Sequence, residues 1–161
     1  MRRLTRRRKW LLAFVGLVSV LVLSGFATGI ISFSAHVWRH DPVEAAATAE
    51  EFADAAFVHR EVDRAYKLMS PGTTAEVTPG DLASLLGQMH PSGSPGAVRA
   101  VEFQRLPGFR GMNIYLVGES GRATFYYRLL MTGTADDGYA VAGLFRGTGP
   151  YPQPEQRDLL P

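Results

Sequence analysis

Hydrophobic positions along this chain change their spacing twice. From Trp10 to Phe33 they form a run of 24 residues without one charged side chain. A bilayer hydrocarbon core about 30 Å thick needs roughly 20 apolar helical residues, so this run predicts a transmembrane helix over residues 10–35. The spacing then becomes helical and amphipathic. Asp41-Pro42-Val43-Glu44 supplies an N-cap, a Pro at the first helical position and an acid in the first turn. It opens a helix expected to run from Pro42 to His59, with Ala45, Ala49, Phe52, Ala53 and Ala56 as its apolar stripe. Glu44, Glu50, Glu51 and Asp54 lie largely off that stripe and read as its solvated side. Val62, Ala65, Tyr66 and Met69 repeat the pattern until Ser70-Pro71-Gly72, and Leu82, Leu85, Leu86 and Met89 repeat it after the capping sequence Thr78-Pro79-Gly80-Asp81.

After the breaker-rich stretch His90 to Gly96 the period falls to two. Strands are expected at Val98 to Leu106, Met112 to Gly118, Arg122 to Met131 and Tyr139 to Arg146. The turns between them are short, so neighbours should pair antiparallel. In the third strand Ala123, Phe125, Tyr127, Leu129 and Met131 share one face. Helices first and a four-stranded meander second give an α+β domain over 42–149, with three helices packed on one face of a curved sheet. Residues 150–161, with Pro150, Pro152, Pro154 and Pro161, read as a Pro-rich extended tail that cannot enter a sheet as a central strand.

Placing the charges changes their meaning. The formal net charge is +2. Six of the 17 Lys and Arg residues fall in the tail 1–9, which leaves 11 basic against 15 acidic residues beyond it. The basic character is thus a topology signal, with the N-terminus retained inside the cytoplasmic membrane and the domain outside the cytoplasm, and it gives no reason to expect nucleic-acid binding. Arg outnumbers Lys 15 to 2, a compositional hint of a GC-rich bacterial genome. Gly25 and Ala27 also fit the −3 and −1 positions of a signal-peptidase site, so cleavage after Ala27 is the alternative to an anchor. Against it, apolar residues continue through Ile30, Ile31 and Phe33, and Trp10 and Trp38 stand ~42 Å apart on a helix, the thickness of a bilayer with both headgroup layers. Gly25 and Gly29 form a GxxxG, a face suited to close helix–helix contact, either with a second copy or with another membrane protein. The chain has no cysteine, which excludes disulfides, thiolate metal sites and lipobox processing.

The Ala-rich first helix leading into Asp63-Arg64-Ala65-Tyr66-Lys67-Leu68-Met69-Ser70-Pro71, then Thr78-Pro79-Gly80-Asp81-Leu82, and the closing Asp137-Gly138-Tyr139-Ala140-Val141-Ala142-Gly143 resemble the cystatin-like cone fold of the nuclear transport factor 2-like superfamily. In particular, the chain is similar to small bacterial extracytoplasmic domains carried on a single anchor. That superfamily includes enzymes such as ketosteroid isomerase and scytalone dehydratase. It also includes non-enzymes, among them periplasmic scaffold domains of type IV secretion systems and membrane-anchored accessory proteins of actinobacterial lipid importers.

The residues offer no isomerase site. None of the four strands contains an Asp or a His, so a general base is missing where a cone-fold enzyme needs one. P-loop, GxSxG, HExxH, EF-hand and Rossmann glycine motifs are also absent from the sequence. His36 and His40 have a metal-compatible i, i+4 spacing but lie where headgroup-boundary residues belong. His59 and His90 stand at helix ends, where interaction with the C-terminal dipole explains them. Tyr66, Phe103, Tyr115, Phe125 and Tyr127 are the candidates for lining a cavity inside the cone, and they serve equally as core filling. No catalytic residue, metal or cofactor is assigned. The expected function is a single-pass, membrane-anchored extracytoplasmic binding or scaffolding module, an accessory subunit of a membrane or envelope assembly in contact with membrane lipid. The alternative is a cone-fold enzyme or carrier of a small hydrophobic ligand.

Overall fold

The computed structural model describes residues 39–91, 93–121, 123–147 and 158–160. The expected span 10–35, its Gly25 and Gly29, and His36 lie outside them. Among the described residues no helix is long and apolar enough to cross a membrane. The described domain is α+β: helices come first, then an antiparallel sheet ordered β4-β3-β2-β1-β5.

Helix α1 (Pro42–Ala53) starts as its sequence requires, with the Asp41 carboxylate accepting the N–H groups of Val43 and Glu44 at 2.9 and 3.2 Å. Ala45, Ala46, Ala49, Phe52 and Ala53 face inward. The rest of the expected helix, Asp54–His59, is wound as a π-turn, and three consecutive residues, Ala55, Ala56 and Phe57, are buried there. The turn stops at Arg60, whose backbone is left-handed (φ 58°). Arg60 and Glu61 both donate their N–H to the Ala55 carbonyl, which satisfies the orphan acceptor of the last turn.

Helix α2 (Val62–Lys67) is followed by a short α3 (Pro71–Thr74), capped by Ser70. The expectation of three helices, with Ser70-Pro71-Gly72 acting as a breaker, is therefore corrected. Pro at the first helical position starts a turn as readily as it ends one. Helix α4 (Pro79–Met89) carries a complete capping box: Thr78 Oγ1 accepts the Asp81 N–H at 3.2 Å and Asp81 Oδ2 accepts the Thr78 N–H at 2.9 Å. These hydrogen bonds hold the Asp81 carboxyl below the usual carboxylate range.

Strands β1 (Ala97–Arg105), β2 (Gly111–Ser120), β3 (Ala123–Thr134) and β4 (Gly138–Gly147) form the expected meander. Phe125, Tyr127, Leu129 and Met131 of β3 are buried on one face, as alternation requires. The sheet has five strands, not four. Asp158–Leu159 forms β5, pairing antiparallel with Phe103 and Glu102 at the outer edge of β1. The tail does reach the sheet, and it does so at an edge, where nearby prolines are tolerated.

Two bulges fasten the remaining segments. On β1 the register skips Val101; its carbonyl accepts the Leu160 N–H at 3.2 Å, and the neighbouring Ala100 N–H is taken by Glu50 Oε1 at 2.6 Å. Glu50 is thus a tether between α1 and the sheet, in contrast to its expected place on a solvated side. On β4 the register skips Ala142, whose carbonyl accepts Thr73 Oγ1 at 3.1 Å. Beside it Val141 exchanges backbone hydrogen bonds with Leu68 and Ser70.

The first residues of the domain are bound to the β3–β4 hairpin. The Ala135 N–H donates to the Arg39 carbonyl at 2.9 Å, the Asp41 N–H donates to the Tyr139 hydroxyl at 2.7 Å, and the Arg39 guanidinium meets Asp136 at 3.4 Å. His40 sits against the Tyr139 ring, 6.4 Å between centroids.

The hairpin needs glycine at Gly133, where φ is 126° and an added Cβ would stand 2.0 Å from the Gly138 carbonyl oxygen. Gly133→Ala should lower stability by about 1–3 kcal/mol, read as a fall in thermal midpoint. Gly72→Ala, in open space at ordinary backbone angles, should leave the midpoint unchanged or raise it. Equal behaviour of the two variants would contradict the strain at Gly133.

Candidate functional site

Helix α4 ends at His90, and that ring closes the helix by turning inward. It is 5% exposed. Nδ1 lies 3.2 Å from the Leu86 carbonyl and Nε2 lies 2.6 Å from the Tyr127 hydroxyl. A carbonyl only accepts, so Nδ1 carries the proton in this arrangement. Nε2 of the neutral ring then accepts the Tyr127 O–H. Phe57, delivered by the π-turn, stacks on Tyr127 at 4.4 Å and tilts against His90 at 5.4 Å. Phe125 flanks His90 at 5.9 Å, with the Arg146 guanidinium 5.1 Å from its own ring. Burial lowers the His90 pKa most; the Leu86 hydrogen bond opposes this, and the charges of Arg146 and Arg60 reinforce it. The imidazole is a neutral base held in one tautomer.

A cleft of about 120 Å³ opens beside this pair, lined by Ala56, Arg60, Val62, Ala83, Leu86, Gly87 and His90. It exists because Ala56, Ala83 and Gly87 are small; a Cβ added at Gly87 would meet nothing within 4 Å. At its mouth Arg60 donates from Nε and Nη2 to Ser94 Oγ at 3.2 and 2.9 Å. Among the described residues no carboxylate pairs with that guanidinium. A π-turn and a left-handed non-glycine residue converge here, and both kinds of irregularity are enriched at functional sites. A wider, open depression of about 580 Å³ follows Arg60 through Lys67, where Arg64 bridges Glu51 and Glu61 at 3.3 Å each.

The chain was compared with protein-family models, curated proteins and solved structures. None matches it. The site therefore rests on its geometry alone.

The five residues expected around a cavity do not gather around one. Phe125 and Tyr127 come together, with His90. Tyr66 points its hydroxyl at the Thr74 and Val77 carbonyls, 3.0 and 2.9 Å away, closing the loop between α3 and α4. Phe103 is buried in the core, with the Arg105 guanidinium 5.8 Å from its ring. Tyr115 alternates with the core residues Ile114 and Leu116 and lies on the other face of the sheet, donating to Gln104 Oε1 at 3.0 Å. His90 stands at a helix end as expected, but its ring is buried and held by the Leu86 carbonyl and the Tyr127 hydroxyl, which the sequence reading did not anticipate. The signal in the sequence is Tyr127: a hydroxyl on an otherwise apolar strand face needs a partner.

Because the folded His90 titrates below the unfolded value near 6.5, the unfolded chain binds more protons as the pH falls. Stability is therefore full above about pH 6.5 and is lost as the pH falls from there to the depressed folded pKa. His40 is lowered too, by burial first and by Arg105, and adds in the same direction. The thermal midpoint should drop between pH 7.5 and pH 5, and His90→Gln should flatten the drop without removing it. An identical slope in the variant would contradict the buried neutral imidazole.

Proposed function

We propose that the chain is a single-pass, membrane-anchored extracytoplasmic binding or scaffolding module, an accessory subunit of a bacterial membrane or envelope assembly, with a domain of the cystatin-like cone type. The observation that carries this reading is the attachment at Arg39–Asp41. The segment that follows the apolar run is joined to the β3–β4 hairpin by one main-chain hydrogen bond, a second from the Asp41 N–H to the Tyr139 hydroxyl, and an exposed ion pair, so the domain is bonded into its sheet from Arg39 onward. Helices followed by an antiparallel meander, with α1 laid over the sheet, support the cone-type reading. Substituting both Gly25 and Gly29 with Leu should reduce recovery of a stoichiometric membrane partner, or of a second copy, after purification in mild detergent. Unchanged recovery would show that the span makes no specific contact.

The His90 cleft favours a second reading, the binding of a small molecule. Its 120 Å³ suits a ligand of a few heavy atoms, and the combination of small apolar walls with the Arg60 guanidinium suits a short carboxylate. Titration of the full chain in detergent with propionate should shift the His90 and Arg60 side-chain resonances saturably, and Arg60→Gln should abolish the shift. Resonances that stay still at millimolar propionate would remove this reading.

A further inference from the structure

The cleft beside His90 continues past its mouth. Arg60 and Val62 line both it and the wider depression that runs along α2 to Lys67, so the two form one surface with a narrow inner end. Arg60 stands at the junction. Its Nε and Nη2 donate to Ser94 Oγ at 3.2 and 2.9 Å, which occupies one edge of the guanidinium and fixes its plane. The Nη1/Nη2 edge is left, and such an edge grips a carboxylate with two parallel hydrogen bonds. Among the described residues no acceptor is bonded to it.

We infer that this surface takes the C-terminal end of a peptide that finishes in a small apolar residue: the last side chain enters the cleft, its carboxylate lies on the Nη1/Nη2 edge of Arg60, and the preceding residues run along α2 toward Lys67. The inference deepens the small-molecule reading of the cleft and rests on it. The inner end, walled by Ala56, Ala83, Leu86 and Gly87, has room for a few heavy atoms, which admits a methyl-sized side chain. The outer part decides the class of ligand. Beyond Arg60 and Val62 it presents Glu61, Asp63, Arg64 and Lys67, two acids and two bases. A hydrocarbon tail would lie against charges there, and a polyphosphate would meet two carboxylates. Peptide main chain is neutral, carries a donor and an acceptor at each residue, and finds partners for both. Arg64 is held by Glu51 and Glu61. Asp63 and Lys67, at i and i+4 on one face of α2, are exposed and enter no ion pair among the described residues. The length agrees too: α2, Val62–Lys67, rises about 9 Å, which an extended peptide covers in about three residues.

Three probes test this, each titrated into the full chain in detergent while side-chain and main-chain resonances are followed. N-acetyl-glycyl-glycyl-alanine should bind about tenfold tighter than propionate and shift Arg60 and His90 together with the main-chain amides of Asp63 and Lys67. Propionate should shift Arg60 and His90 alone. The same peptide with its C-terminus amidated has no carboxylate for Arg60 and should shift none of the four. A peptide acid that binds no tighter than propionate and leaves Asp63 and Lys67 still would overturn the peptide inference while the small-molecule reading stands, and so would an amide that binds as well as the acid. Resonances unmoved at millimolar concentration by both propionate and the peptide acid would overturn both.

Discussion

Tyr127 carries a hydroxyl into a position with no exposure, and a hydroxyl left without a partner there costs about 1–3 kcal/mol. The demand is met from outside the sheet. Helix α4 ends so that His90 faces inward, and burial favours the neutral ring, whose Nε2 accepts the Tyr127 O–H. The remaining ring surface is then closed by Phe57. A regular α-helix from Pro42 would change register by position 57; the π-turn is what accompanies the arrival of Phe57 on Tyr127. The cost of that turn reappears as the left-handed Arg60 and as the cleft left between the turn and α4.

The same logic of unpaired groups explains how the helical half is joined to the sheet. Each bulge releases backbone groups from the ladder. On β1 the released carbonyl takes the C-terminal segment, while the adjoining amide takes Glu50 from α1. On β4 the released carbonyl takes Thr73 from α3. In a chain without disulfides, two irregularities in strand pairing do the work of cross-links, each tying together segments 50 or more residues apart.

Features that depend on neighbours in the chain were legible in the sequence. The Asp41 cap, the Thr78–Asp81 capping box and the alternation along β3 are local, and they appear where the residues place them. Features that depend on distant partners were not. Nothing near Glu50 says that a bulge 50 residues later will need an acceptor. Nothing near Asp158 says that the edge of β1 is open to it. The His90–Tyr127 pair spans 37 positions, and from sequence it was visible only as two separate demands, a tyrosine hydroxyl on an apolar face and a histidine ahead of a proline.

The bridge between Val141 and the Leu68–Ser70 segment has a consequence for encounters between copies of the chain. An open strand edge recruits a neighbouring strand. Here β4, the last strand on its side, has its middle occupied by that bridge and by Thr73, and β5 occupies the edge of β1 at Glu102 and Phe103. At these positions main-chain pairing with another copy is interrupted on both sides of the sheet.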